Sequence, residues 1–138
     1  MNRNDLQRIS RLRVKETRIL LEEGYFSGAY YLVGYAVECA FKACIAKQIN
    51  RYDFPDRKLI NDSYTHNLES LLRLSGLQAE FQIEMQNSPN LEVNWAIVKD
   101  WSEQSRYSTD IPEITAKDLY SAVAGRRDGV LAWVKKRW

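Results

Sequence analysis

Gly28 to Ala46 reads GAYYLVGYAVECAFKACIA, and the fold class turns on how that stretch is read. It is close to the roughly 20 residues a helix needs to span a bilayer. Glu38 and Lys42 fall in its middle, however, and on insertion scales each charge costs about 2.5–3.5 kcal/mol at a bilayer centre. A central buried helix is the better reading, running from about Phe26 to Ile49 and apolar nearly all round. Gly28, Ala29, Gly34, Ala36, Ala40 and Ala43 line it, and small side chains let neighbouring helix backbones approach closely. Tyr25, Tyr30, Tyr31 and Tyr35 crowd its start, and such rings need partners for their hydroxyls, so several are expected to reach solvent or an interface.

The flanking sequence reads as further helices. Leu6, Ile9, Leu12, Ile19 and Leu20 recur at helical spacing opposite a basic face, which predicts a helix from Asp5 to about Glu23 with Gly24 as its stop. Residues 50–64 hold Pro55, three Asp and two Asn, and read as a long loop of the kind that is often functional. Short helices follow at about Thr65–Leu74, ended by Gly76, and Leu77–Gln86. Ser88 then acts as N-cap with Pro89 at the first helical position. That helix carries Leu91, Trp95, Val98 and Trp101 to about Gln104. After a second loop, 105–114, Thr115 and Asp118 resemble a capping box. The last helix carries Leu119, Val123, Val130, Trp133 and Val134, with Gly125 and Gly129 as kink points. Strand alternation and internal repeats are absent. The expectation is an all-α fold, an antiparallel helical bundle of five to six helices.

A chain of 138 residues, 45% hydrophobic and 28% charged, has the material for one packed domain, read as residues 1–138. Three Pro and six Gly favour long helices over a turn-rich all-β fold. The net charge of +2 hides an asymmetry: residues 1–18 and 117–138 each carry +4, and the middle carries −6. If the ends pack together they form one basic surface, a docking surface for a polyanion; solvated helix faces are the plainer alternative. Cys39 and Cys44 lie about 7.5 Å apart along a helix and roughly 140° around it, too divergent to bridge. The charged start lacks the apolar segment of a signal peptide. Together these lead us to expect a reduced, cytoplasmic location.

Few residues offer chemistry. His66 is the sole histidine, so no zinc constellation is available, and no metal or cofactor is expected. Its position near a predicted helix start, the positive end of the dipole, disfavours the imidazolium; a neutral imidazole there would act as a base or bind a ligand, or else simply pack locally. Glu38 sits in an apolar helix, where a lone carboxylate is costly. Lys42, one turn on, gives it a structural ion pair. Arg106 is the alternative partner, in which case Glu38 would orient an arginine for function. Arg106 grips phosphate and Trp101 or Tyr107 stacks on a base in one reading of WSEQSRY; an aromatic anchor beside a surface arginine is the other. Phosphate-loop, GxGxxG, HExxH and EF-hand patterns are missing.

Three blocks in order carry a family resemblance. LLEEGYFSGAYYLVGYAVECAFKACIAKQI (20–49) resembles the signature helices of HEPN domains, and YTHNLESLLRLSGL (64–77) the segment that follows in one branch. NWAIVKDWSEQSRYS (94–108) is similar to that branch's later motif. The resemblance implies a helical bundle that forms a homodimer and serves a toxin–antitoxin, defence or stress system. Many relatives are metal-independent ribonucleases, others bind nucleotides or partner proteins, and some are neutralised by a nucleotidyltransferase-type antitoxin. The ribonucleases carry Arg, four to six residues, then His. Here eight residues separate Arg57 from His66, and Asn67-Leu68 follow, so that catalytic pair does not carry over. Two functions are therefore expected in turn. The first is a nucleotide-, RNA- or partner-binding module, with Glu38, Lys42, Trp101 and Tyr107 as ligand contacts. The second is a ribonuclease toxin in which His66 and Arg106 converge across helices.

Overall fold

The structure, a computed structural model, describes residues 1–51 and 56–138. The described residues form an all-α helical bundle with no strand. They comprise α1 (Arg3–Glu22), α2 (Phe26–Arg51), α3 (Arg57–Asp62), α4 (Leu68–Leu74), α5 (Gln78–Asn87), α6 (Pro89–Val98), a 3₁₀ turn (Glu103–Tyr107), α7 (Glu113–Ala124) and α8 (Val130–Lys135). Eight α-helices thus replace the expected five to six.

The α1–α2 hairpin is the frame. Asn2 and Asp5 form a reciprocal capping box, which starts α1 two residues earlier than its apolar periodicity indicated. Gly24, at φ +83°, ends it, with the Tyr25 amide donating to the Leu20 carbonyl and the Gly24 amide to that of Leu21. The chain reverses and α2 returns antiparallel, with Ser10 Oγ donating to the Ala36 carbonyl at 2.7 Å in the buried seam. α2 is the central helix expected. Ala29, Val33, Ala36, Val37, Ala40, Phe41, Ala43 and Ile45 are all buried. It is the one described helix long and apolar enough to cross a membrane, and its most apolar window is 67% buried inside the chain.

On α2 rests an aromatic core. Phe81 of α5 packs edge-on to Trp95 of α6 and Trp133 of α8, at ring separations of 5.2 and 4.8 Å. Phe41 meets Trp95 at 90°. Cys39 and Cys44 are buried free thiols, and burial pushes both up to about 11.

Elsewhere the elements depart from the sequence reading. Residues 52–55 of the expected 50–64 loop lie outside the described residues, while 57–62 form α3, capped by Asp56 and braced by Lys58–Asp62. α6 ends at Val98, not near Gln104, and the expected 105–114 loop overlaps the 3₁₀ turn. α7 begins at Glu113 behind Pro112, so Thr115 lies within the helix and caps nothing. Gly125 and Gly129 break the last helix in two, rather than kinking it. A Cβ on Gly129 would stand 2.3 Å from the Gly125 carbonyl oxygen, which is why this tight corner takes glycine.

The two basic ends do meet. The Arg3 guanidinium donates to the Trp138 carbonyl, and the Arg11 guanidinium lies 4.8 Å from the Trp138 ring centre. Lys135 approaches the same ring at 6.0 Å. Burial, and then the Arg11 charge, lower the Lys135 pKa, as expected where cations crowd.

Candidate functional site

Four residues of α2, Tyr31, Tyr35, Glu38 and Lys42, recur at helical spacing and form one stripe. Glu38 is 2% exposed, and both its oxygens are used. Lys42 Nζ approaches Oε2 at 3.3 Å, the pairing one turn away that the sequence suggested. The other oxygen, Oε1, lies 3.0 Å from Nδ1 of His66. The alternative partner, Arg106, is not on Glu38.

His66 reaches Glu38 from the turn that enters α4. Asn67 is the N-cap of α4, accepting from the Ser70 amide at 2.9 Å, so His66 sits one residue outside the helix rather than in its first turn. Thr65 Oγ1 accepts from the Asn67 amide and shapes that turn. The nearest charges to the imidazole are carboxylates, not the helix end: Nε2 lies 3.1 Å from Oε2 of Glu103. The Nδ1 contact to Glu38 is a hydrogen bond, and the Nε2 contact to Glu103 is a close approach of ring and carboxylate. Both ring nitrogens of His66 thus lie beside carboxylates.

Glu103 opens the 3₁₀ turn. Its second oxygen, Oε1, lies 2.8 Å from the Arg106 guanidinium, three residues along. Arg106 also donates to the Tyr107 hydroxyl at 2.8 Å and lies 4.7 Å from that ring's centre. The Tyr107 hydrogen bond, and then the neighbouring Glu103 carboxylate, raise the Arg106 pKa. The result is one continuous chain, Lys42–Glu38–His66–Glu103–Arg106–Tyr107, drawn from three separate segments.

Trp101 anchors the turn that bears Glu103 and Arg106. It is buried, with its indole lying directly over Gly34 of α2 and 6.0 Å from the Tyr31 ring. Ser102 caps the turn by accepting from the Gln104 amide. Trp101 is therefore a support, and the aromatic faces near the site belong to Tyr107, 68% exposed, and to Tyr31, stacked on Tyr35 at 6.1 Å. Burial raises the pKa of Tyr31, and of Tyr35 up to about 12, so both phenols stay protonated donors at neutral pH.

Of the residues singled out in the sequence, Glu38, Lys42, His66, Arg106 and Tyr107 gather here, and Trp101 lies beneath them. Glu103 was missed, although its spacing of three from Arg106 is a helical-pair signal. Beside Lys42 a cleft of ≈ 450 Å³ opens, lined by Met1, Leu6, Ile45, Ala46, Ile49, Ser63 and Tyr64 among the described residues. No group of three or more metal-ligating side chains occurs among the described residues. No family model, curated protein or solved structure matches the chain.

Proposed function

We propose that this chain is a HEPN-like module that binds a phosphate-bearing partner, RNA or a nucleotide, at the His66–Arg106 cluster without cleaving it. The observation that carries this reading is that His66 and Arg106, forty residues apart in sequence, lie within ion-pair distance of the two oxygens of one carboxylate. A phosphate offers the same paired acceptors, with more charge where it is a terminal monoester, and a guanidinium suits it well. Tyr107 supplies an exposed ring for a base to stack on. The cationic seam of Arg3, Arg11 and Lys135 gives a longer polyanion further purchase. The sequence resemblance adds a homodimer working in a toxin–antitoxin, defence or stress system, with a nucleotidyltransferase-type antitoxin as a candidate partner, and the unbridged cysteines add a cytoplasmic location.

The His66–Arg106 convergence also favours a second reading, a metal-independent ribonuclease in which His66 moves the proton and Arg106 holds the phosphate. Against it, the sequence lacks the Arg, four to six residues, His pairing of the ribonucleases, with eight residues between Arg57 and His66. The two readings separate in one experiment, in which a fluorescein-labelled single-stranded RNA is titrated with protein in chelator and then run on a denaturing gel. We expect binding that weakens by about three- to tenfold in both His66→Ala and Arg106→Ala, equivalent to roughly 0.7–1.4 kcal/mol, with the RNA left intact. Cleavage by the wild type that His66→Ala abolishes would replace the first reading with the second. Affinity unchanged in both variants would remove the site from either.

A further inference from the structure

We infer that the Glu103 carboxylate is a built-in occupant of the anion position between His66 and Arg106, which an incoming phosphate group displaces. The inference rests on the reading of that cluster as a phosphate site. Glu103 spans the two donors as a bound oxyanion would, with one oxygen 3.1 Å from His66 Nε2 and the other 2.8 Å from Arg106.

The two acids of the cluster are not equivalent. Glu38 is 2% exposed, is fixed on a long central helix and holds the far side of the imidazole. Glu103 is 20% exposed and stands on a five-residue 3₁₀ turn. That turn is held by buried Trp101 before it, by the Ser102 cap, and by the Ser105 and Ser108 amides donating to the Ser102 and Ser105 carbonyls. None of these contacts uses the Glu103 side chain. It is therefore free to rotate towards water without loss of the turn, while Glu38 and Lys42 keep His66 in place. The ion pairs it would leave are partly exposed, and such pairs contribute little to stability. A terminal phosphate monoester or inorganic phosphate, carrying up to two charges, outweighs them when it meets the same two cationic side chains. The empty site thus carries its own counter-anion, which sets a threshold for weakly binding anions and keeps His66 and Arg106 positioned.

The test is a titration with inorganic phosphate at about neutral pH, read from the ring resonances of His66, the chain's sole histidine. Glu103→Gln keeps the shape of the side chain and removes the charge. It is expected to bind phosphate roughly three- to tenfold more tightly than the wild type, the reciprocal of the ion-pair energy lost. Glu84→Gln, which makes the same change in net charge on α5, should bind as the wild type does. Arg106→Ala added to Glu103→Gln should cancel the gain. Glu103→Ala supplies a second variant should Gln retain the bridging contacts, and thermal melts confirm that each protein is folded. Equal affinity in the wild type and both Glu103 variants overturns the displacement and leaves the phosphate site standing. No His66 response in any of the proteins overturns both. A gain of the same size in Glu84→Gln reduces the effect to net charge and also overturns the inference.

Discussion

Gly34→Ala is expected to destabilise the protein by about 3 kcal/mol, at the upper end of what an added methyl does in a packed interior, or to prevent folding. A Cβ at this position would lie 2.1 to 2.2 Å from three atoms of the Trp101 indole. Neither side can give way easily. Gly34 lies in the middle of α2, and the Trp101 ring is buried, wedged between that helix and the chain leaving α6. A displaced Trp101 would also take the 3₁₀ turn with it, so a Gly34→Ala protein that still folds should lose the His66–Glu103 contact as well as stability. Gly28→Ala on the same helix is the control. There a Cβ meets nothing nearer than the Leu20 methyl at 3.5 Å, an ordinary contact. Gly28→Ala should be neutral or stabilising by up to about 1 kcal/mol, the usual preference of a helix for alanine. Urea unfolding of the two variants side by side checks both expectations. Equal stabilities would show that the ring does not sit over Gly34.

Replacing Glu38 should have the second largest effect, and the direction depends on the replacement. Glu38→Ala removes a buried side chain and opens a cavity, and we expect a loss of about 2–3 kcal/mol. Glu38→Leu refills the volume without charge. Exchanging a buried ion for an apolar group of similar size is often neutral. Here the partners left behind, His66 and Lys42, have side chains 45% and 21% exposed, so water can take over their hydrogen bonds. Glu38→Leu should therefore retain wild-type stability within about 1 kcal/mol while weakening RNA binding, because His66 loses the carboxylate that orients it. Chemical denaturation and RNA titration together decide the matter. Loss of stability in Glu38→Leu as large as in Glu38→Ala would make the carboxylate a structural element. Full stability with unchanged binding would make it dispensable to both.

The features legible in the sequence were those that long-range burial writes into a regular period. α2 declared itself by being apolar nearly all round, and α1 by its stripe and by Gly24. What escaped were elements stabilised locally. α3 has no buried residue, so no apolar period marks it; its helix rests on the Asp56 cap and the Lys58–Asp62 pair. The 3₁₀ turn after Trp101 is likewise set by a serine cap and one buried ring, which look like loop composition in a linear reading. Gly125 and Gly129 gave a true signal of interruption but not its degree, because only the packing of Trp133 and Val130 into the core shows that the chain must turn there.

The candidate site was legible as a set of residue types but not as a wiring diagram. Glu38 and Lys42 were paired correctly by their spacing of four. Glu38 as the support of an arginine was not upheld, because the side chain that descends onto it is His66. In the linear sequence Trp101 reads equally as a stacking surface or as an aromatic anchor beside Arg106. Its burial against Gly34 is a contact between residues 67 positions apart, which no local pattern encodes. Glu103 went unnoticed because a surface glutamate one turn from an arginine is common, and its meaning depends on His66 standing opposite.

The central claim is that His66 and Arg106 act together on a phosphate-bearing ligand, and the single histidine makes it directly testable. The measurement is the ring-nitrogen NMR spectrum of ¹⁵N-labelled protein during titration with a short single-stranded RNA. We predict that the His66 ring signals move and saturate at the same protein–RNA ratio as the bound fraction measured by anisotropy, and that Arg106→Ala shifts this response to higher RNA concentration. RNA bound with the His66 signals unmoved, at whatever affinity, would place the interaction elsewhere, at the cationic seam of Arg3, Arg11 and Lys135, and would contradict the account.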